Sequence, residues 1–441
     1  MRGLVFTIVC LVGLGAWATE HDTVTVEHNM LEAFHHGHLK GQIRDYTMMT
    51  VNAGSGADFY TQAIGASLHY ETAEFYGFSM GLKGMFIHRV FSNDISTARF
   101  ERQLYDLENP SNYNELDRLE ELYFNYHYKF MNLRFGKMEV KSPIVNKHDG
   151  RMKPKMFSGI SSSFTVKKKH ELSFYHISKA TPRSTVEWFN LHEAIGIYNN
   201  GYDEHGHKLH YHGHLDTKFL TMAGYKGKLA KGTKIEFWDY YFDNLMNTAQ
   251  LNVSQEIAEH YTAKFMYLNQ FSTQTRANTY NEEYFKSGEL THVFSAQLAG
   301  EFNSFELDLM ASYIPEGGQY IFPRELGVDP FYTSITRNWL EGLADASAVG
   351  LTLKKELCNW DMKMSYVHLE SSNDFDNNRY MELSNDQVNI DITRHFHHAL
   401  EGLDVRFLYV MKHTGGSIPD YANVVNRTNY HHLNLIMNFN F

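Results

Sequence analysis

The end of the chain alternates in polarity, and the same alternation recurs along its length. In 430–441, Leu433, Leu435, Met437, Phe439 and Phe441 share one parity, and His432, Asn434, Asn438 and Asn440 share the other. A helix would mix the two sets, whereas a strand, with its period of two, gives each a face. Elsewhere charged residues repeatedly occupy the second face. Asp404 and Arg406 oppose Leu403, Val405, Phe407, Tyr409 and Met411. Glu306 and Asp308 oppose Phe305, Leu307, Leu309, Ala311 and Tyr313. Asp361 and Lys363 oppose Trp360, Met362, Met364 and Tyr366, and Glu121, Asn125 and His127 oppose Leu122, Phe124, Tyr126 and Tyr128. A soluble sheet protein would bury those charges at high cost. A sheet closed around water, with its apolar face turned to lipid, accepts them.

Marking every such segment predicts eighteen strands. They lie near 40–52, 57–70, 74–87, 118–129, 131–138, 157–166, 169–179, 217–228, 233–243, 246–255, 259–269, 292–302, 304–314, 346–355, 357–368, 386–395, 401–412 and 430–441. The connections then fall into two alternating sets. One set is 53–56, 88–116, 139–156, 180–216, 244–245, 270–291, 315–345, 369–385 and 413–429. The other consists of tight turns at 130, 167–168, 230–232, 303 and 357–359. Long loops at one end and short turns at the other are the signature of an antiparallel transmembrane β-barrel, the long set extracellular and the short set periplasmic. Lipid offers no hydrogen bonds, so only helices or a closed sheet can cross it. No run of about 18 apolar residues follows the N-terminal segment, which leaves the closed sheet. The 31 Phe and 28 Tyr against 8 Pro favour strands as well. At roughly 16–18 strands a barrel encloses an aqueous channel.

The N-terminus indicates the compartment. Arg2, the apolar run 4–14 and Ala16-Trp17-Ala18 read as a signal peptide at 1–18, cleaved before Thr19, leaving one domain over 19–441. The run is shorter than the roughly 20 residues a spanning helix needs. Cys10 lies inside the run and not just after it, which does not suit a lipoprotein. The mature chain would keep one cysteine, Cys358, and so no internal disulfide, as fits a bacterial envelope protein. A formal charge of −11 argues against a nucleic-acid partner.

Several segments resemble the OprD family of Gram-negative outer-membrane porins. Gly37-His-Leu-Lys-Gly-Gln-Ile-Arg-Asp-Tyr46 is similar to that family's first strand. Leu119-Glu-Glu-Leu-Tyr-Phe124, Leu133-Arg-Phe-Gly-Lys137 and Pro154-Lys-Met-Phe-Ser-Gly-Ile160 resemble its constriction-loop region. Phe322-Pro-Arg-Glu-Leu-Gly-Val-Asp-Pro-Phe-Tyr-Thr333 and Asn338-Trp-Leu-Glu-Gly-Leu-Ala-Asp345 resemble its large seventh loop. The resemblance implies an eighteen-stranded channel for passive, often substrate-selective uptake of amino acids, peptides or carboxylated solutes. It implies no enzyme activity and no cofactor. Outer-membrane lipid and lipopolysaccharide would surround the barrel, and a homotrimer is one arrangement open to it. The His-rich segments depart from the family, so the substrate does not carry over.

Within that resemblance the third loop becomes the constriction. Lys141, Lys147, Arg151, Lys153 and Lys155 stand there against Glu139 and Asp149. Folded inward, such cations would meet a solute's carboxylate or phosphate, because fixed charge sets a pore's ionic preference. Arg44, Arg134 and Lys137 extend the basic track along the wall. The seventh loop offers Glu325, Asp329, Glu341 and Asp345, an acidic side that would set up a transverse field for zwitterions. The alternative is a solvated loop and a polar cap over the mouth.

The fourth loop crowds His205, His207, His210, His212 and His214 beside Asp203, Glu204 and Asp216, and His35, His36 and His38 precede the first strand. Extended chain would align 210, 212 and 214 for zinc, nickel or copper. No spacing of a known structural site is present, and a hydrated loop is the simpler reading. Tyr123, Tyr126, Tyr128, Trp238, Tyr240, Tyr241 and Tyr366 are candidates for interfacial girdles. Two other functions use the same barrel: a surface metal-binding or adhesive protein without conductance, and an outer-membrane enzyme. The second lacks any motif that fixes a nucleophile and base.

Overall fold

The computed structural model describes residues 29–54, 56–112, 114–167, 169–274, 283–415 and 429–441. The signal peptide of the sequence reading lies outside them, as do parts of the 270–291 and 413–429 loops. A short helix, Met30–His35, precedes the first strand, with the Asn29 side chain accepting from the Leu31 amide at 2.9 Å. The strands are β1 (His38–Asn52), β2 (Phe59–Glu71), β3 (Phe78–Ser92), β4 (Arg118–Tyr128), β5 (Met131–Met138), β6 (Met156–Val166), β7 (His170–Thr181), β8 (Phe189–Asn190), β9 (Leu220–Ala230) and β10 (Thr233–Phe242). They continue as β11 (Met246–Ala258), β12 (Tyr261–Ser272), β13 (Leu290–Phe302), β14 (Phe305–Ile314), β15 (Ala346–Leu357), β16 (Trp360–Glu370), β17 (Asn385–His395), β18 (Leu403–His413) and β19 (Tyr430–Asn440).

Leaving the two-residue β8 aside, consecutive strands pair antiparallel, and β1 pairs with β19 from Gln42↔Asn440 to Asn52↔Tyr430. That pairing closes the sheet and removes its edges, as lipid requires. β8 is a two-residue stub on the end of β7, which otherwise pairs directly with β9. The closed barrel therefore has eighteen strands, and every predicted segment is one of them. The long connections share one end and the tight turns the other.

Alternation decides which face each side chain takes. Leu298, Leu309, Leu351 and Met364 are among the exposed apolar residues of the outer face. The girdle expectation is corrected in part: Tyr123, Trp238 and Tyr240 are buried inside, whereas Tyr128 and Tyr241 are exposed. Trp238 and Tyr240 share a parity opposite to Tyr241, and one face of a strand cannot serve both sides.

The interior is not simply water-filled. At the long-loop end two apolar clusters occupy the interior. The larger joins Ile144, Ile195, Leu209, Tyr320, Ile321 and Phe322 of the loops to Phe242, Leu268, Val293 and Val367 of the wall. The smaller joins Phe100, Leu104, Tyr105 and Met152 to Tyr46, Met48, Phe59 and Val410. Each fully buried Leu or Phe stabilises the infolded loops by about 1.5–3 kcal/mol before the entropy of ordering is subtracted. Inward amides of the wall hold the loop backbones. Gln270 donates to the Ile321 carbonyl at 2.9 Å and accepts from its amide at 3.1 Å, and Gln387 donates to the Thr336 carbonyl at 2.7 Å.

Candidate functional site

Between the two clusters runs a cavity of about 980 Å³. Its walls come from β1, β18 and β19 and from the loops 93–117, 139–155, 182–219 and 315–345. Ten arginine or lysine side chains border it against three carboxylates, Glu101, Asp149 and Asp329. From the sequence-derived basic set, Arg44, Arg151 and Lys155 reach it. Arg99, Arg102, Arg183, Lys208, Arg324, Arg337 and Arg406 join them. No sequence pattern gathers these seven, because they are contributed by different loops and by β18. Only Arg406, an inward charge on an alternating strand, carried a local signal.

Arg44 organises one wall. Its guanidinium donates to both oxygens of Asp149 (2.6 and 2.9 Å), to the Arg151 carbonyl (2.7 Å) and to the Asn438 side chain (2.7 Å). This bidentate pair ties the third loop to β1 and β19. Burial works to raise the Asp149 carboxyl, but the Arg44 contact holds it below the usual carboxylate range. Opposite, Arg151 and Arg183 both donate to the neutral side-chain oxygen of Gln103, at 3.2 and 3.1 Å. Burial, then the like charges of Arg337 and Arg183, push the Arg151 guanidinium well below the usual arginine value. An arginine stays charged regardless. The shift registers first the burial of the guanidinium and then the like charges gathered around it. Lys155 reaches across to the Gly327 carbonyl and joins the third loop to the seventh.

The other candidates sit elsewhere. Lys141 and Lys147 are exposed, and Lys147 pairs with Glu139 at 2.8 Å. Lys153 is fully buried away from the cavity, and burial, then Arg118, lower it to about 7. Arg134 lies over the Tyr123 ring at 3.9 Å. Lys137 belongs to the outward parity of β5, opposite Leu122, and lies over the Trp188 ring at 4.5 Å. It therefore leaves the basic track in which the sequence reading had set it. One residue of misjudged parity reverses a side chain's face.

The acidic side does not assemble as expected either. Of its four members only Asp329 borders the cavity. Glu325 accepts from the Gly196 and Tyr198 amides, at 3.2 and 2.7 Å, and fastens the seventh loop to the fourth. Glu341 pairs with Arg324 at 3.0 Å and accepts from Tyr380 at 3.1 Å. Asp345 is exposed at the start of β15.

The histidines are dispersed. His205 lies 3.4 Å from Glu204, His207 is 3.3 Å from Asp203, and His212 contacts the Ile195 carbonyl at 3.2 Å. His210 borders the cavity, and 212–214 form a turn, not the extended chain that would align them. Among the described residues no group of three or more His, Cys, Asp or Glu could hold a metal ion.

Two buried carboxyls make the seventh loop sensitive to pH. Burial raises Glu341 to about 7 against the pull of Arg324, and raises Asp329 to about 6 against two amide hydrogen bonds. Between about pH 4 and pH 7 these two carboxyls thus bind more protons in the folded barrel than in the unfolded chain, and their contribution to stability falls as pH rises through that window. Glu341 alone is expected to contribute up to about 3 kcal/mol of extra stability at pH 5 relative to pH 8. Above about pH 7 Lys153 acts in the opposite sense, because its buried amine gives up there a proton that the unfolded chain keeps. The test is the pH dependence of the melting temperature in the parent protein compared with Glu341→Gln. Equal slopes in the two would show that Glu341 does not titrate in this window.

No protein-family model matches the chain, and no curated protein matches it. Solved structures do. OccAB2 of Acinetobacter baumannii superposes with a TM-score of 0.72 at 13% identity, covering 93% of this chain and 99% of that one. OccK8 (OprE) of Pseudomonas aeruginosa superposes with a TM-score of 0.72 at 12% identity, with coverage of 93% and 99%. OccK9 (OpdG) of the same organism gives 0.72 at 11%, again covering 93% and 99%. These neighbours are OprD-type barrels, and the likeness is one of fold.

Proposed function

We propose that this chain is an OprD-family channel of a bacterial outer membrane through which small hydrophilic solutes diffuse passively, with a preference for those carrying a carboxylate or another anionic group. The cavity's ten cations against three carboxylates carry this reading. Its acids are partly spent as well, Asp149 on Arg44 and Asp329 on the Leu340 and Glu341 amides. A solute anion entering a narrow passage loses water, and fixed positive charge compensates that loss. The outer face suits lipid, and the long-loop end suits the cell exterior, where lipopolysaccharide surrounds such barrels. Amino acids, short peptides and carboxylates are the solute classes to test.

Reconstitution in a planar bilayer provides the test. Stepwise conductance is expected, with reversal potentials in a salt gradient that favour anions. Absence of steps in any salt would remove the channel, and cation selectivity would remove the anion preference. Lys153→Gln is expected to leave the reversal potential unchanged, because Lys153 does not border the cavity. A shift comparable to that of an Arg151 variant would put Lys153 in the passage after all.

A further inference from the structure

His432 points into the barrel from β19 and is wholly enclosed. It is the register partner of Thr50 on β1, so the two residues meet across the seam that closes the barrel. Thr50 Oγ1 lies 2.7 Å from His432 Nδ1 and donates to Glu101 Oε1 of the second loop. On the other side of the imidazole, Arg337 Nη2 of the seventh loop lies 3.0 Å from Nε2. A line of hydrogen bonds thus runs from the seventh loop through β19 and β1 to the second loop.

Donor chemistry gives that line one direction. A guanidinium only donates, so Nε2 accepts and carries no proton. The imidazole's single proton then sits on Nδ1 and is given to the Thr50 oxygen, whose own hydrogen goes to Glu101. A doubly protonated ring would turn an N–H toward Arg337 and lose that bond. His432 is therefore neutral in this arrangement. Arg337 is held by an uncharged group, where a carboxylate in the same place would have cancelled much of its charge.

The hold on Arg337 is specific. Among the described residues the bond to His432 is the only hydrogen bond its guanidinium makes. The φ of Arg337 is +75°, in the left-handed region that a non-glycine residue keeps only when its surroundings impose it. The preceding Thr336 carbonyl accepts from Gln387 and Asn389 of β17, at 2.7 and 3.0 Å. Phe100 of the second loop packs on both partners, its ring centroid 4.9 Å from the guanidinium carbon and 4.7 Å from the centroid of the His432 ring. Arg337 borders the cavity, whereas His432 stands behind it.

We propose that His432 is a positioning residue for the selectivity of the channel. Its neutral imidazole fixes Arg337 at the cavity wall and leaves the positive charge there for a passing anion, although His432 itself touches no solute. The inference rests on the channel reading above and adds to it a residue that carries no charge of its own.

Reversal potentials across a salt gradient, measured on the reconstituted full chain, provide the test. His432→Leu removes both bonds of the ring, and the anion-over-cation permeability ratio is expected to fall about threefold as Arg337 leaves its place. His432→Gln is expected to keep the parent's ratio, because an amide oxygen can accept from Arg337 while its nitrogen donates to Thr50. Between about pH 5 and pH 8 the parent and His432→Gln are expected to change in parallel, since a neutral imidazole has no charge to lose. Arg337→Gln is expected to lower the ratio in the parent and to add little in the His432→Leu background, as for two residues that act through one group. A parent-like ratio in His432→Leu would overturn the proposal, and so would a lowered ratio in His432→Gln. An Arg337→Gln effect that is absent from the parent, or equal in both backgrounds, would overturn it as well. A parent that gains anion preference in acid relative to His432→Gln would show a charged imidazole and overturn it too. If His432→Leu does not fold, His432→Gln and the pH comparison still decide. Any of these results from a conducting barrel leaves the channel reading standing, whereas a parent without conductance steps removes both.

Discussion

Replacing Arg151 and Arg183 together by glutamine is expected to lower the anion-over-cation permeability ratio about tenfold, because two unit charges leave the cavity wall. A charge about 4 Å from a passing ion is worth about 1 kcal/mol in bulk water and about 4 kcal/mol at the effective dielectric of a protein surface. Even the lower figure, counted twice, exceeds the 1.4 kcal/mol that corresponds to a factor of ten. Glutamine keeps donors near Gln103 and leaves the loop packing largely alone, so the readout reports charge. The measurement is the reversal potential across a salt gradient. A potential within error of the parent's would place both guanidiniums outside the ion path and return the selectivity to other residues.

The second large effect concerns how the third loop is held. Arg118 on β4 is fully enclosed. Its guanidinium donates to the Thr181 hydroxyl (2.8 Å) and to the Pro182 (3.0 Å), Thr185 (3.1 Å) and Pro154 (2.5 Å) carbonyls, and it pairs with Glu120 at 2.8 Å. One side chain thus ties the end of the third loop and the start of the fourth to the barrel wall. Arg118→Ala removes five contacts and leaves buried Glu120 with Lys83, at 3.0 Å, as its remaining ion pair. Breaking a buried pair in this way costs about 3–5 kcal/mol. A melting point lower by several degrees is expected, together with larger and noisier single-channel currents as the loop leaves its place. Arg118→Lys should not rescue, since an ammonium cannot reproduce the planar fork. A parent-like melting point and quiet currents in Arg118→Ala would show that the apolar packing alone holds the loop.

The barrel was legible from the chain because its signal is local. Each strand needs only its own parity to declare which face meets lipid, and lipid admits a single sheet solution, a closed one. The terminal segment 430–441, the alternating charges on 304–314 and the loop-length asymmetry therefore determined the strand count and the antiparallel order. The seventh-loop and third-loop segments were also recognisable, and both do fold into the interior. Their side chains were not legible. Glu325 and Glu341 are anions by sequence but structural fasteners by position, and the reason is partners more than a hundred residues away or around the loop: the Gly196 and Tyr198 amides for one, Arg324 and Tyr380 for the other.

The terminal alternation thus settled that this chain closes a barrel around a polar interior, because period-two patterning needs no distant contact to take effect. What lies in that interior was decided by tertiary packing. Loops from four connections meet between two apolar clusters, and only there do Arg44, Arg151, Arg183 and Arg337 come to share one cavity. Charge in a loop carries no parity, so its direction is set by whatever the folded loop rests against.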